Sequence, residues 1–340
     1  MTEQETNFNP LKKFASIIIV TYNHKHFLRK CLDSVLNQEY PHEIILVDNC
    51  SGDGTVSYVR EYFPTVKIIE NLTNAGYGAG NNLGIKHARG EYIVILNPDT
   101  IVHEGWLTAL ISPLECEVNV ITTPKILTYD GFTINTCGNI NHFTGLNFTR
   151  GLGANPDQYQ NPSSTGGISG ACFAIRKHDY ISLGGFDEVF FVYNEDSDFS
   201  WNAFQRGYTI KYIPNSVLQH HYTLKVSPEK LYHLEKGRYI ILRKYFSRKD
   251  MILLSPSLSV TEILTWGYSL KQGKKGIRNK IKAMTEGLQQ PIKKVRCDKD
   301  LLLSHLDAKI PDTQLISNVL ERVIIVIGNC IFLLNYSVIK

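Results

Sequence analysis

Carboxylates standing at the ends of apolar runs are the residues of this chain best suited to chemistry. Tyr92-Ile93-Val94-Ile95-Leu96 is a β-type run that stops on Asn97-Pro98-Asp99-Thr100. In an open α/β sheet, ligands sit just beyond the carboxyl ends of the strands. A carboxylate placed there can hold a divalent cation, and the cation can hold a diphosphate. Strand-Asn-Pro-Asp is also an ordinary turn, so Asp99 decides nothing alone. Its company adds weight. Thr21-Tyr22-Asn23 follows an earlier apolar run at 14–20, and Asp48-Asn49 follows another at 43–47. Tyr22 could stack on a nucleobase, and Asp48 could accept a hydrogen bond from a ring N–H. Each is singly no more than a capped turn; three at one sheet edge favour a nucleotide crevice.

Downstream, Tyr193-Asn194-Glu195-Asp196-Ser197-Asp198-Phe199 is the densest acidic cluster. Acids opening a helix can be explained by the helix dipole alone. Here Phe190, Phe191, Tyr193, Phe199 and Trp201 flank them, and apolar surroundings raise a carboxylate pKa, which suits a general base. His220-His221 could supply an imidazole metal ligand, or be plain surface polarity. Two other motifs point away from familiar chemistries. Gly76-Tyr77-Gly78-Ala79-Gly80 has the wrong spacing for a dinucleotide fingerprint and follows the third apolar run, not the first. Gly167-Ile168-Ser169-Gly170 lacks the glycine at 171 that a serine nucleophile elbow needs.

The elements that must position these groups follow from periodicity. Unbroken apolar runs at 14–20, 43–47, 66–70 and 93–96 predict strands buried on both faces. Helical spacing at 27–36, 56–62 and 79–88 lies between them, with Asp53 expected as an N-cap. Short strand–helix alternation implies a parallel sheet with right-handed crossovers. Further on, a helix is expected at 106–114 and a strand at 118–122. Residues 129–167, rich in Gly, Asn, Thr and Pro, predict a long functional loop rather than packed core. A strand at 172–175, a helix at 196–206 with Phe199, Trp201 and Phe204 partly buried, short strands at 210–213 and 217–218, and a helix at 229–246 complete the pattern.

Of 340 residues, 43% are hydrophobic and 20% charged, which describes a globular chain with a core. A net charge of +4 does not suggest a nucleic-acid binder. The basic residues are concentrated between Lys271 and Lys299, where only Glu286 and Asp298 oppose them. Seven cysteines without a CxxC pair read as free thiols in a reducing compartment. Residues 1–10 are polar without an apolar h-region, so no secretory signal is expected. Residues 323–339 are almost wholly apolar but interrupted by Asn329 and Asn335. That length is at the lower limit for a bilayer span, and the basic block before it favours an anionic membrane face. A buried helix, a marginal span and a membrane-resting helix stay open.

Five motifs occur in order. They are Ser16-Ile17-Ile18-Ile19-Val20-Thr21-Tyr22-Asn23, Leu46-Val47-Asp48-Asn49-Cys50-Ser51-Gly52-Asp53-Gly54-Thr55, Asn74-Ala75-Gly76-Tyr77-Gly78-Ala79-Gly80-Asn81-Asn82, Leu96-Asn97-Pro98-Asp99-Thr100, and Tyr193-Asn194-Glu195-Asp196-Ser197-Asp198. In this the chain resembles the family 2 glycosyltransferases, close to their rhamnosyltransferase-like branch, over about residues 14–246.

The resemblance implies a GT-A α/β fold, Rossmann-like with a mostly parallel central sheet and flanking helices, plus a helical C-terminal region. It divides the chain into a polar extension (1–13), a catalytic domain (14–225), an accessory helix (226–250) and a helical, basic and apolar region (251–340). It implies an inverting enzyme that uses a dTDP-, UDP- or GDP-linked sugar with Mg2+ or Mn2+. The acceptor would be a hydroxyl of a glycan or lipid-linked molecule, met at the cytosolic face of a membrane. By position, Thr21, Tyr22, Asn23 and Asp48 would hold the nucleoside, and Asn74, Gly76, Asn82 and Asn97 would line the donor. Asp99 and His220 would bind the metal; Asp196, with Glu195 beside it, would be the base. Many relatives carry Asp where this chain has Asn97, and an Asn carbonyl is a poorer cation ligand than a carboxylate. A sugar-nucleotide binding module without turnover and a nucleotidyltransferase are the alternatives; oligomeric state is not indicated.

Overall fold

The computed structural model describes residues 13–222, 226–311, 314 and 319–340. The polar extension expected at 1–13 therefore lies, except for Lys13, outside the described residues. Four strands form the parallel half of the sheet. They are β1 (Ala15–Thr21), β2 (His42–Asp48), β3 (Lys67–Glu70) and β4 (Tyr92–Leu96), in the spatial order β3-β2-β1-β4. Helices α1 (Lys25–Leu36), α2 (Thr55–Tyr62) and α3 (Tyr77–Lys86) connect them.

The apolar runs are continuous because each face has its own core. Ile18, Val20, Ile45, Val47, Ile93 and Ile95 belong to one hydrophobic cluster. Their alternating neighbours Ile17, Ile19, Ile44, Leu46, Val94 and Leu96 belong to another, with Leu28, Leu32 and Val59 of α1 and α2. A period of two divides a buried strand between two layers.

Beyond β5 (Thr100–Val102) and α4 (Trp106–Cys116), the sheet turns mixed. Strand β6 (Val120–Thr128) is longer than expected. β11 (Cys172–Arg176) runs antiparallel to both β4 and β6. The two short strands expected near 210 and 217 are one strand, β12 (Thr209–His220), parallel to β6 with a register shift between Ile213 and Val217. The bulge absorbs Pro214, which cannot donate to a ladder.

Residues 129–167 depart from expectation. They form β7 (Ile134–Thr136), β8 (Asn139–Asn141), β9 (Asn147–Thr149) and β10 (Ser163–Ser164). Ile134, Cys137, His142 and Phe143 are fully buried. The segment is packed core in its first half, and its Asn and Thr side chains are hydrogen-bonded inside rather than solvated.

Helices α5 (Lys177–Leu183) and α6 (Glu195–Phe204) follow β11, and Phe199, Trp201 and Phe204 of α6 are completely buried, not partly so. The C-terminal region is helical: α7 (Pro228–Tyr245), α8 (Arg248–Leu253), α9 (Ser255–Lys271), α10 (Gly273–Gln289), α11 (Lys299–Ser304) and α12 (Val319–Ile339). Helix α7 joins it to the sheet layer, because Ile240, Ile241 and Tyr245 share a core with Phe173 and Trp201.

Candidate active site

Register sets the first part of the site. Thr21 ends β1 directly opposite Asp48 at the end of β2, and both are buried. Asp48 Oδ2 accepts a hydrogen bond from Ser51 N at 2.9 Å. Asp48 Oδ1 and Thr21 Oγ1 have no hydrogen-bond partner among the described residues. An unsatisfied buried polar atom costs about 1–3 kcal/mol, so this pair marks a place where ligand groups would bind favourably. Tyr22 beside it is 46% exposed, free to present its ring. Asn23, at φ 58°, is committed to the loop: its N donates to Ser51 Oγ and its Oδ1 accepts from Gly52 N, both at 2.8 Å. Asp53 is not the N-cap residue of α2; Gly54 is. Asp53 instead accepts from Lys25 N and Thr55 N, each at 3.0 Å, tying the starts of α1 and α2 together.

The second loop is locked rather than open. Asn74 Oδ1 accepts from Gly76 N at 3.0 Å. Gly76 has φ 87°, and a Cβ there would run into the Phe191 carbonyl, which also accepts from Tyr77 N. Only glycine permits that approach. Asn82 spends its amide on protein groups. Its Nδ2 donates to Phe186 O (2.9 Å) and Glu188 Oε1 (3.0 Å), and its Oδ1 accepts from Tyr180 Oη (2.7 Å) and Phe186 N (3.1 Å). Asn82 thus fastens α3 to the segment that leads into α6.

Asp99 and His220 meet where β4 and β12 end. His220 Nε2 lies 3.3 Å from Asp99 Oδ1 and 3.3 Å from Asn97 Nδ2. His220 Nδ1 lies 3.4 Å from Asn135 Oδ1. An amide oxygen can only accept, so Nδ1 is the protonated nitrogen and Nε2 presents its lone pair. A lone pair and a carboxylate oxygen 3.3 Å apart suit two neighbouring ligands of one hard cation, which lie about 3 Å apart at Mg2+-like bond lengths. The buried Asn97 Oδ1 has no hydrogen-bond partner among the described residues and adds a third oxygen or nitrogen donor at the same strand end. Burial pushes Asp99 up, but when Nε2 of His220 carries a proton in place of a cation, its hydrogen bond and charge outweigh burial and hold the carboxyl below its ordinary value. Among the described residues no three His, Cys, Asp or Glu side chains converge on a metal site. The residues present fit a cation that takes its remaining ligands from phosphate and water.

The acids of α6 sit in three different environments. Asp198 is buried, yet Lys244 Nζ lies 2.7 Å from its Oδ2; burial pushes it up, the ammonium offsets only part of that rise, and it stands at about 6. Glu195 is 5% exposed and its Oε2 has no hydrogen-bond partner among the described residues; burial, then the charge of Asp196, push it up to about 8. Asp196 between them is raised by burial, but it accepts hydrogen bonds from Ser197 N (2.8 Å), Gly170 N (3.3 Å) and Asn139 Nδ2 (3.1 Å). Tyr77 Oη donates to the Gly170 carbonyl. The Tyr222 ring stacks on His220 at 5.6 Å and its hydroxyl feels the Asp196 charge, so the Asp99–His220 pair and the α6 acids border one space.

With that geometry in place, comparison with known proteins is decisive. The family model described as Glycosyl transferase family 2 matches residues 16–183. This chain belongs to glycosyl transferase family 2. It is similar to N-acetylgalactosaminyltransferase 7 of Drosophila melanogaster, 29% identical over 61% of this chain but only 39% of the relative. It is also similar to the N-acetylglucosaminyl-diphospho-decaprenol L-rhamnosyltransferase of Mycobacterium tuberculosis, 27% identical over 66% of this chain and 83% of that one. Among solved structures, GalNAc-T7 with UDP, GalNAc and Mn2+ superposes with a TM-score of 0.59 at 19% identity, covering 83% of this chain and 57% of that chain. That likeness shows the GT-A fold.

The family match includes Thr21, Asp48 and Asp99 but ends before Asp196 and His220. Several residues of this family 2 site carried no signal in the sequence. Asn135 and Asn139, which hold His220 and Asp196, lie in strands of three residues, too short for periodicity to reveal. Tyr222 gave no cue beyond adjacency to the His pair.

Proposed function

We propose that this chain is an inverting glycosyltransferase that moves a sugar from a nucleotide-diphosphate donor to a hydroxyl of a glycan or lipid-linked acceptor at the cytosolic face of a membrane. The observation that carries this reading is the set of buried polar atoms without a hydrogen-bond partner among the described residues: Thr21 Oγ1, Asp48 Oδ1 and Asn97 Oδ1 at the strand ends, and Glu195 Oε2 on α6. A polar ligand would satisfy atoms that the protein leaves bare.

Thr21 and Asp48 take the nucleoside and Tyr22 stacks on its base. Mg2+ or Mn2+ held by Asp99, His220 and the Asn97 amide would neutralise charge on the leaving diphosphate. Asp196 accepts the proton of the acceptor hydroxyl as that oxygen bonds the anomeric carbon. The bond from that carbon to the diphosphate oxygen breaks, its electron pair leaves with the nucleotide diphosphate, and in-line attack inverts the anomeric centre. Burial raises the basicity of Asp196, and its three hydrogen bonds keep it ionisable.

The test is a panel of dTDP-, UDP- and GDP-sugars with nucleotide diphosphate release and sugar transfer as readouts. Asp196→Asn should abolish transfer while leaving donor affinity nearly intact. Full turnover by that variant sinks the assignment; donor binding by the wild type with no release favours a non-catalytic module, and pyrophosphate release a nucleotidyltransferase.

A further inference from the structure

Helix α12 is 21 residues long, about 31 Å at 1.5 Å per residue. One side of it is docked along its length. Glu321 pairs with Lys271. Asn329 exchanges two hydrogen bonds with the Ile310 backbone, at 2.9 and 3.0 Å. Phe332 packs edge-on to His142, with ring centroids 4.6 Å apart. Asn335 Nδ2 donates to Leu253 O at 2.8 Å, and Tyr336 Oη donates to the Leu303 carbonyl. Both asparagines that interrupt the apolar run thus face the protein.

The opposite side is apolar and bare. Val323, Val326, Ile327, Leu334 and Val338 are 49, 58, 56, 70 and 70% exposed. These positions recur at helical spacing and form one continuous stripe. The exposed charges along 322–340 are Arg322 at one end and Lys340 at the other, both cationic.

We propose that α12 lies flat in the surface of a bilayer with anionic headgroups, its stripe sunk among the acyl chains and its asparagine side kept on the protein. This deepens the reading of a membrane-presented acceptor and rests on it. A crossing helix would have to give up contacts that run from Glu321 to Tyr336 and expose two amides to hydrocarbon. A second copy is disfavoured by charge. Parallel self-pairing sets Arg322 on Arg322, and antiparallel pairing sets Arg322 on Lys340. Anionic headgroups complement both ends. The docked side also reaches toward the site: Phe332 and Tyr336 touch Phe143, which lies just after β8, and β8 carries the Asn139 that bonds Asp196.

The test uses the full chain with Cys50, Cys116 and Cys297 replaced by Ser. A spin label is placed on Cys330 or, in a Cys330→Ser background, at Val323→Cys or Val338→Cys, and label depth is measured in phosphatidylglycerol/phosphatidylcholine vesicles. The three labels should report one shallow depth in one leaflet, about 5–10 Å below the headgroups. Binding to pure phosphatidylcholine should be weaker. Val326→Asp with Leu334→Asp should cut vesicle binding about tenfold or more. Depths that progress from one leaflet to the other overturn the proposal, as does absence of vesicle binding with a concentration-dependent dimer. Calorimetric titration of the same proteins with UDP, dTDP and GDP plus Mn2+ reports on the donor site alone. Failure there would remove the transferase reading whatever the labels show.

Discussion

Two groups of carboxylates are buried in this protein, and they titrate in opposite directions. In the C-terminal helices, Glu235 is 3% exposed and lies against Arg238 (2.8 and 3.1 Å) and Lys280. Glu262 takes Arg238, the Tyr239 hydroxyl (2.8 Å) and Lys280 (3.0 Å). Burial pushes both acids up, but the Arg238 charge and hydrogen bonds, joined by Lys280, hold them below the ordinary carboxylate range. On α6, Glu195 is as deeply buried and has no cation beside it among the described residues, so it rises to about 8. Burial is common to both groups; two cations, Arg238 and Lys280, reverse its sign at Glu235 and Glu262, whereas the single ammonium of Lys244 only limits the rise of Asp198 to about 6. The first cluster ties α7, α9 and α10 together, while the second holds groups near the point of changing protonation, as a proton-transfer site requires.

The comparison can be broken most severely at Asp196. Asp196→Asn should lower transfer by about 10²–10⁴-fold, the usual worth of a general base. The urea midpoint should barely move, because no buried ion pair is lost. The opposite pattern is expected at Arg238→Met. It leaves buried Glu235 with one partner fewer, and breaking a buried pair costs about 3–5 kcal/mol. Denaturant unfolding should show that loss, and nucleotide binding per folded molecule should be unchanged. Equal effects of the two variants on both readouts would dissolve the distinction.

A smaller effect is expected at Asn135→Ala. Loss of the acceptor that orients His220 should weaken Mn2+-supported nucleotide binding by about 10–100-fold, with transfer recovering at high Mn2+. Conversely, Asn97→Asp should strengthen metal binding by replacing an amide with a carboxylate.

The smallest effect separates the clusters by pH. The folded-state pKa of Glu195, about 8, stands above its ordinary 4.5. The native state therefore keeps a proton that the unfolded chain has released, and stability from this group falls as pH rises across that interval. Glu235 and Glu262 are lowered, so their contribution is complete above the ordinary value and is lost as pH falls through the folded one. Glu195→Gln should match the wild type near pH 5 in thermal melts and exceed it near pH 9. Arg238→Met should flatten the acid limb instead.

Much of this arrangement was legible along the chain, and what was legible is local. An apolar run followed by Thr21, Asp48 or Asp99 carries its own evidence, since strand polarity places those residues at one edge wherever the strands pair in parallel. Acids opening α6 among aromatics were equally visible. Residues 129–167 were misjudged because composition speaks of solvation, whereas Asn135, Asn139 and Asn141 are satisfied by His220, Asp196 and the Gly166 carbonyl. Asn82, expected from its motif to line the donor, spends its polar atoms on Phe186, Glu188 and Tyr180.

By itself, then, the sequence determined the strand ends, the acids that follow them and the family, because these depend on side-chain type and on spacing within a few residues. Only the tertiary structure decided which acids are paired. Lys244 reaches Asp198 across 46 positions, Lys280 reaches Glu235 across 45, and among the described residues no hydrogen-bond partner reaches Glu195 Oε2. A carboxylate's protonation depends on its neighbours in space, and the chain brings those neighbours from far away in sequence.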